Sequence, residues 1–144
     1  MKDQVLSIEQ MKHLQELGVD TSKAKMAWYA TYEAEPTWYN ELRIRDEVFD
    51  KNYPSVPTFT LQDMLEMMPK KIMIEMSNDF CRSVEAYFLD VSLNICNDKR
   101  QCGYIHFSKR ENYICHKYEN TDLLTCVYEM LCWLAENNYI GGEK

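Results

Sequence analysis

Five side chains able to bind metal or act as nucleophiles fall between positions 96 and 116: Cys96, Cys102, His106, Cys115 and His116. Thiolate and imidazole are the ligands zinc prefers, and a thiol beside an imidazole is the usual activated nucleophile. The spacing supports either use only weakly. Zinc sites show a tight C-x2-4-C or H-x3-5-H pair, whereas this run reads C-x5-C-x3-H and the chain holds no C-x-x-C. A hairpin formed by 104–107 and 112–118 would bring His106 and His116 near each other. Cys115 and His116, as strand neighbours, would point to opposite faces. A reactive pair would therefore join Cys115 or Cys102 to His106. Buried cysteines are also ordinary small core residues. No G-x-S-x-G, glycine-rich phosphate loop or H-E-x-x-H occurs. No catalytic residue, cofactor or metal ligand is assigned, and His13 beside Lys12 reads as a solvated surface residue.

A second excess is aromatic. Trp28, Tyr29, Tyr32, Trp38, Tyr39 and Tyr53 crowd one quarter of the chain. Residues 26–33 alternate as a strand, with Met26, Trp28, Ala30 and Tyr32 on one parity. The return segment 38–49 places Leu42, Ile44 and Val48 on one parity and Arg43, Arg45 and Glu47 on the other, so the pair reads as a hairpin with one buried face. That face predicts Trp28 and Tyr32 inside and Tyr29 outside, beside Arg43 or Arg45. Exposed Tyr and Trp mark binding patches. The expected protein-contact residues are Tyr29, Trp38, Tyr39 and Trp133.

Length and charge limit the remaining classes. A chain of 144 residues suits one domain over 1–144 and buries roughly 70% of its unfolded surface without metal or disulfides. The net charge of -7 and the absence of any basic run longer than two residues argue against direct nucleic-acid binding. No stretch of apolar residues is long enough for a membrane span. The start leads straight towards a capped helix with no apolar export segment, so a cytoplasmic location with reduced thiols is expected.

Three helices are predicted. Ser7 and Gln10 form a capping box flanked by the staple pair Leu6 and Met11, which opens a helix over about 8–17 closed by Gly18. Thr60, with Phe59 and Met64 around it, opens a second over 61–68, stopped by Pro69. A third runs from about 120 to 137, with Leu123, Val127, Met130, Leu131 and Leu134 as its stripe. Cys126, Tyr128, Cys132 and Trp133 fall off that stripe. The helix is therefore either central or covered by another chain.

Residues 50–57 read as a loop because Pro54 and Pro57 lack the N–H a ladder needs. Strands are predicted over 71–76, 85–95, 104–107 and 112–118. The order α-β-β-α-β-β-β-β-α gives an α+β fold with three helices on a mostly antiparallel sheet of about five or six strands.

Three segments, 6–24, 57–70 and 128–140, resemble a group of small uncharacterised proteins of gut Bacteroidales genomes, often in prophage or other mobile regions. The resemblance covers about a third of the chain and implies a cytoplasmic accessory protein with no assigned activity. The expected function is a non-enzymatic protein-interaction module whose partner is another protein or a second copy in a homodimer. The alternatives are a small Cys/His-dependent or metal-binding enzyme, and an acidic mimic of nucleic acid. Glu9 and Glu16, seven apart on the first helix, are the thin support for a mimic.

Overall fold

The first helix end is built as its spacing predicts. In the computed structural model the Ser7 hydroxyl accepts from the Gln10 N–H at 3.2 Å, and the Gln10 side chain accepts from the Ser7 N–H at 2.9 Å. Residues 4–32, 38–77, 82–94, 98–107, 112–120 and 122–140 are described, with backbone only at 76, 77, 82, 83, 94, 107 and 112–116. The elements run α1 (Ile8–Glu16), β1 (Met26–Tyr29), β2 (Glu41–Ile44), α2 (Glu47–Asn52), β3 (Ser55–Thr58), α3 (Leu61–Met67), β4 (Lys71–Ser77), β5 (Arg82–Asn94), β6 (Lys99–Phe107), β7 (Asn112–Asn120) and α4 (Leu123–Glu136). The class is α+β. It differs from the expected single sheet: two antiparallel sheets, ordered β2-β1-β3 and β4-β5-β6-β7, carry the strands, and a fourth helix appears among the described residues.

Helix α1 ends where Gly18 turns to φ 90°. The N–H groups of Gly18 and Val19 then reach back to the carbonyls of Gln15 and Leu14, each at 3.0 Å. This double closure satisfies carbonyls that the helix itself leaves open. The end of α4 repeats it with Asn138 at φ 65°. There Asn138 and Tyr139 donate to Ala135 and Leu134 at 3.2 and 2.9 Å.

The chain before α1 fastens it to the small sheet. The Leu6 carbonyl accepts from the Thr58 hydroxyl at 2.7 Å and from the Trp28 indole at 3.3 Å. The Leu6 N–H donates to Phe59 at 3.1 Å. Leu6, Met11, Leu14, Phe59 and Met64 are all fully buried in the main core. The two staple pairs read in the sequence thus meet in one place. Strand β3 replaces the loop expected at Pro54–Pro57. It sits at the sheet edge, where a proline without an N–H costs no ladder bond on the solvent side.

The segment 38–49 is not one strand. It breaks after Ile44, and the Asp46 carboxylate caps α2 by accepting from the Val48 N–H at 2.8 Å. Val48 is consequently 63% exposed on a helix, and Ile44 is 74% exposed at the end of its strand. Helix α2 lays Phe49 against Tyr29, ring centroids 5.4 Å apart. Both faces of β1 are therefore covered. Tyr29 is fully buried and Tyr32 is 66% exposed, the reverse of what was expected for these two, while Trp28 is half-buried.

The larger sheet is a four-stranded meander. Its inner face carries Ile72, Tyr87, Cys102 and Tyr104, all buried, and α4 packs on the β6–β7 part of it. Cys126, Val127, Met130, Leu131 and Leu134 of that helix are buried in return. Helix α4 lies against β6 and β7 and also against α3. Its wide apolar arc is explained by a central position, with its own chain on both sides.

Candidate functional site

Of the five potential metal or nucleophilic side chains, Cys96 lies outside the described residues, and the side chains of Cys115 and His116 do as well. The other two do not converge. Cys102 and His106 share one face of β6 four residues apart, which separates them by about 13 Å along a strand. Cys102 is fully buried under α4, and burial pushes its thiol up to about 12. Burial also raises Cys126, whose sulfur contacts the Arg100 carbonyl at 3.2 Å, and raises Cys132 to about 11. A nucleophilic thiol needs the opposite, a lowered pKa in an electropositive, accessible setting.

His106 pairs with the Glu85 carboxylate, 3.0 Å away across β5 and β6, beside the Tyr87 ring at 5.5 Å. In the β6–β7 register His106 faces Tyr113, while His116 faces Tyr104. The register shift between Tyr104 and Ile105 leaves Cys115 between paired positions. Among the described residues no three His, Cys, Asp or Glu side chains come together.

Two adjoining clefts, about 520 and about 460 Å³, open between the chain before α1 and the start of α4 and share Val5, Asp122 and Leu124. Helices α1, α3 and α4 begin around them, but the caps are already engaged: Ser7 with Gln10, Thr60 with Asp63, and Asp122 with Leu124. The Asp122 carboxylate also takes the Thr125 hydroxyl at 2.7 Å. It is the one ionisable group among the described residues lining these two clefts.

The aromatic quarter resolves differently. The connection leaving β1 is fixed by Asn40, whose N–H donates to the Tyr29 carbonyl at 2.9 Å. The Asn40 side chain also accepts from the Thr31 N–H and donates to the Thr31 hydroxyl, each at 2.8 Å. This two-way latch holds positions 31 and 40 together. Tyr32 leaves one side of it 66% exposed, and Trp38 enters the other side 70% exposed, followed by half-buried Tyr39. Side chains of this kind supply large, amphipathic contact area at little entropic cost.

The four expected contact residues therefore separate. Trp38 and Tyr39 flank the latch. Tyr29 lies beneath α2, its hydroxyl donating to Asp50 at 2.6 Å and its proton held more tightly than usual, mainly by burial. Trp133 is half-buried and stacks on Tyr139, centroids 5.5 Å apart. Asn138 sets up that stack, because its left-handed turn folds the chain back on the helix end. Tyr32, expected inside by strand parity, lies beyond the end of β1 at Tyr29, where that parity no longer applies.

No protein family, curated protein or solved structure matches the chain. No described helix is long and apolar enough to cross a membrane.

Proposed function

We infer that this chain is a non-enzymatic protein-interaction module that holds a partner on Tyr32, Trp38 and Tyr39. The observation that carries this reading is the exposure of Tyr32 and Trp38, 66% and 70%, inside a latch that ties Thr31 to Asn40. Holding residues 31 and 40, which flank these side chains, lowers part of the entropic cost of binding. The net charge of -7 favours a partner that presents Lys or Arg, since cations also sit well over Trp and Tyr rings. The resemblance of 6–24, 57–70 and 128–140 to mobile-element proteins extends the reading to a cytoplasmic accessory role. The buried, raised thiols lend the Cys/His enzyme alternative no support.

The test is a photo-crosslinking residue at position 38, with the same residue at exposed Glu9 as the control. A discrete heavier adduct is expected from position 38 and not from position 9. Its yield should fall several-fold on Tyr32→Ala and in high salt, with the melting temperature unchanged. Equal adducts from both positions, or a yield indifferent to Tyr32→Ala, would sink the assignment. An adduct of twice the chain mass identifies the partner as a second copy held on this surface.

A further inference from the structure

Strand β4 is an edge of the larger sheet. It spans Lys71–Ser77 with no proline and no register shift. The other edges are blunted in ways that discourage pairing. Strand β3 contains Pro57, β7 breaks register against β6, and β2 has only four residues.

The backbone of β4 faces outward at definite positions. The Lys70 carbonyl accepts from the Leu89 N–H at 2.9 Å. In an antiparallel ladder, residues that bond to the neighbour alternate with residues that turn their groups away. Even-numbered residues of β4 therefore bond to β5, and Lys71, Met73 and Glu75 direct their N–H and C=O to the open edge. The same three side chains lie on the uncovered outer face: Lys71 and Glu75 are exposed and Met73 is 49% exposed. Ile72 and half-buried Ile74 point inward.

We propose that β4 pairs antiparallel with β4 of a second copy, about a twofold axis at Met73, joining two four-stranded sheets into one of eight. The segment Lys71-Ile72-Met73-Ile74-Glu75 is self-complementary in that register. Lys71 stands opposite Glu75 of the copy twice over, Met73 faces its own equivalent, and Ile72 faces Ile74 on the inner side. The outward-facing N–H and C=O groups of residues 71, 73 and 75 then meet those of 75, 73 and 71 of the copy. Directly opposed unlike charges favour a cross-strand pairing, and like charges oppose it. The paired edges also bring together the outer-face side chains Met73, Val84 and Phe88 of both copies, which are 49%, 60% and 43% exposed in one chain. An isologous contact of this kind closes at two copies and does not propagate. This dimer goes beyond the interaction reading above and uses a different surface.

The experiment is the mass of the full chain in solution across a concentration series, by light scattering or sedimentation. Wild type is expected to be a dimer. Lys71→Glu alone and Glu75→Lys alone each turn two attractive pairs into repulsive ones and should weaken the dimer about tenfold or more. The double variant restores both pairs and should dimerise like wild type. An equimolar mixture of the two single variants should form the heterodimer. Met73→Lys places like charges on the axis and should give a folded monomer, its fold verified by circular dichroism. A wild-type monomer at the highest soluble concentration would overturn the proposal, as would a dimer that all these changes leave intact. Trp38→Ala should leave the dimer unaffected. Loss of the dimer on that change would move the self-contact to the aromatic latch and overturn the β4 assignment, while leaving the interaction module standing.

Discussion

Tyr29 shows how far side-chain alternation carries and where it stops. Parity groups Tyr29 with Arg43 on one side of the small sheet, and the observed register keeps them on that side, with Ala27 opposite Arg43 and Tyr29 opposite Glu41. Parity says nothing about what covers that side. Phe49 does, with the Arg43 guanidinium stacked over its ring at 4.0 Å. The Tyr29 hydroxyl donates to Asp50 and accepts from the Asp46 N–H at 3.3 Å. Asp50 is also approached by Arg45 at 3.5 Å. Tyr29→Phe removes the hydroxyl but leaves Asp50 its arginine, so a loss of about 1–2 kcal/mol is expected. Tyr29→Ala also empties a buried site and should cost about 3–5 kcal/mol. Urea unfolding of both variants checks the pair of values. A neutral Tyr29→Ala would return this residue to the surface.

At the scale of elements, helix ends were the most legible features, because capping is local chemistry between residues three or four apart. The box at Ser7 and the stops at Gly18 and Pro69 needed no knowledge of the rest of the chain. The alternating strands of the meander were legible in part for the same reason, although β6 begins at Lys99, five residues before the expected 104, because its polar first half carries no apolar alternation. Helix α2 was not. It has six residues and buries none of them, and its one local sequence signal is the cap Asp46. Its Val48 also continued the spacing of Leu42 and Ile44, so a strand pattern ran unbroken across the end of a strand. The burial of Tyr29 and the exposure of Tyr32 depend on that helix and that strand end, which is why half of the candidate surface was misread. The two left-handed helix stops give an element-scale prediction. Gly18→Ala should lower stability by about 1 kcal/mol, since a Cβ is disfavoured at positive φ, and Asn138→Ala by up to about 1 kcal/mol, since asparagine tolerates the left-handed region better than alanine. Asn138→Gly should not lower it. Equal losses for the alanine and glycine changes at 138 would show that the Asn side chain matters there, not its backbone angle.

Across the whole molecule, the described core is held by α4, and its thiols make that core sensitive to alkali. Cys102, Cys126 and Cys132 are free and buried. Burial raises Cys102 from an ordinary 9.0 to about 12 and Cys132 from 9.0 to about 11. It raises the Tyr104 and Tyr128 phenols above their usual 10.0 as well. In each case the folded state keeps a proton that the unfolded chain releases at lower pH. The folded protein therefore binds more protons over that window, and stability must fall as pH rises. The contribution is fully present well below 9.0 and is lost progressively as pH climbs through it toward the folded values of about 11 and about 12. Urea midpoints should be flat near neutrality and decline from about pH 8.5 upward, where thiols in an unfolded chain begin to ionise. Cys102→Ala removes the most shifted of the three thiols. It should lower stability somewhat at neutral pH, through the small cavity it leaves, yet make the alkaline decline shallower. The slope separates the two effects, because a cavity costs the same at every pH. A thiol reagent gives an independent check: these three cysteines should react only as the protein unfolds. Rapid labelling of all three in the native state, with no alkaline decline, would mean that they are not enclosed between α4 and the sheet.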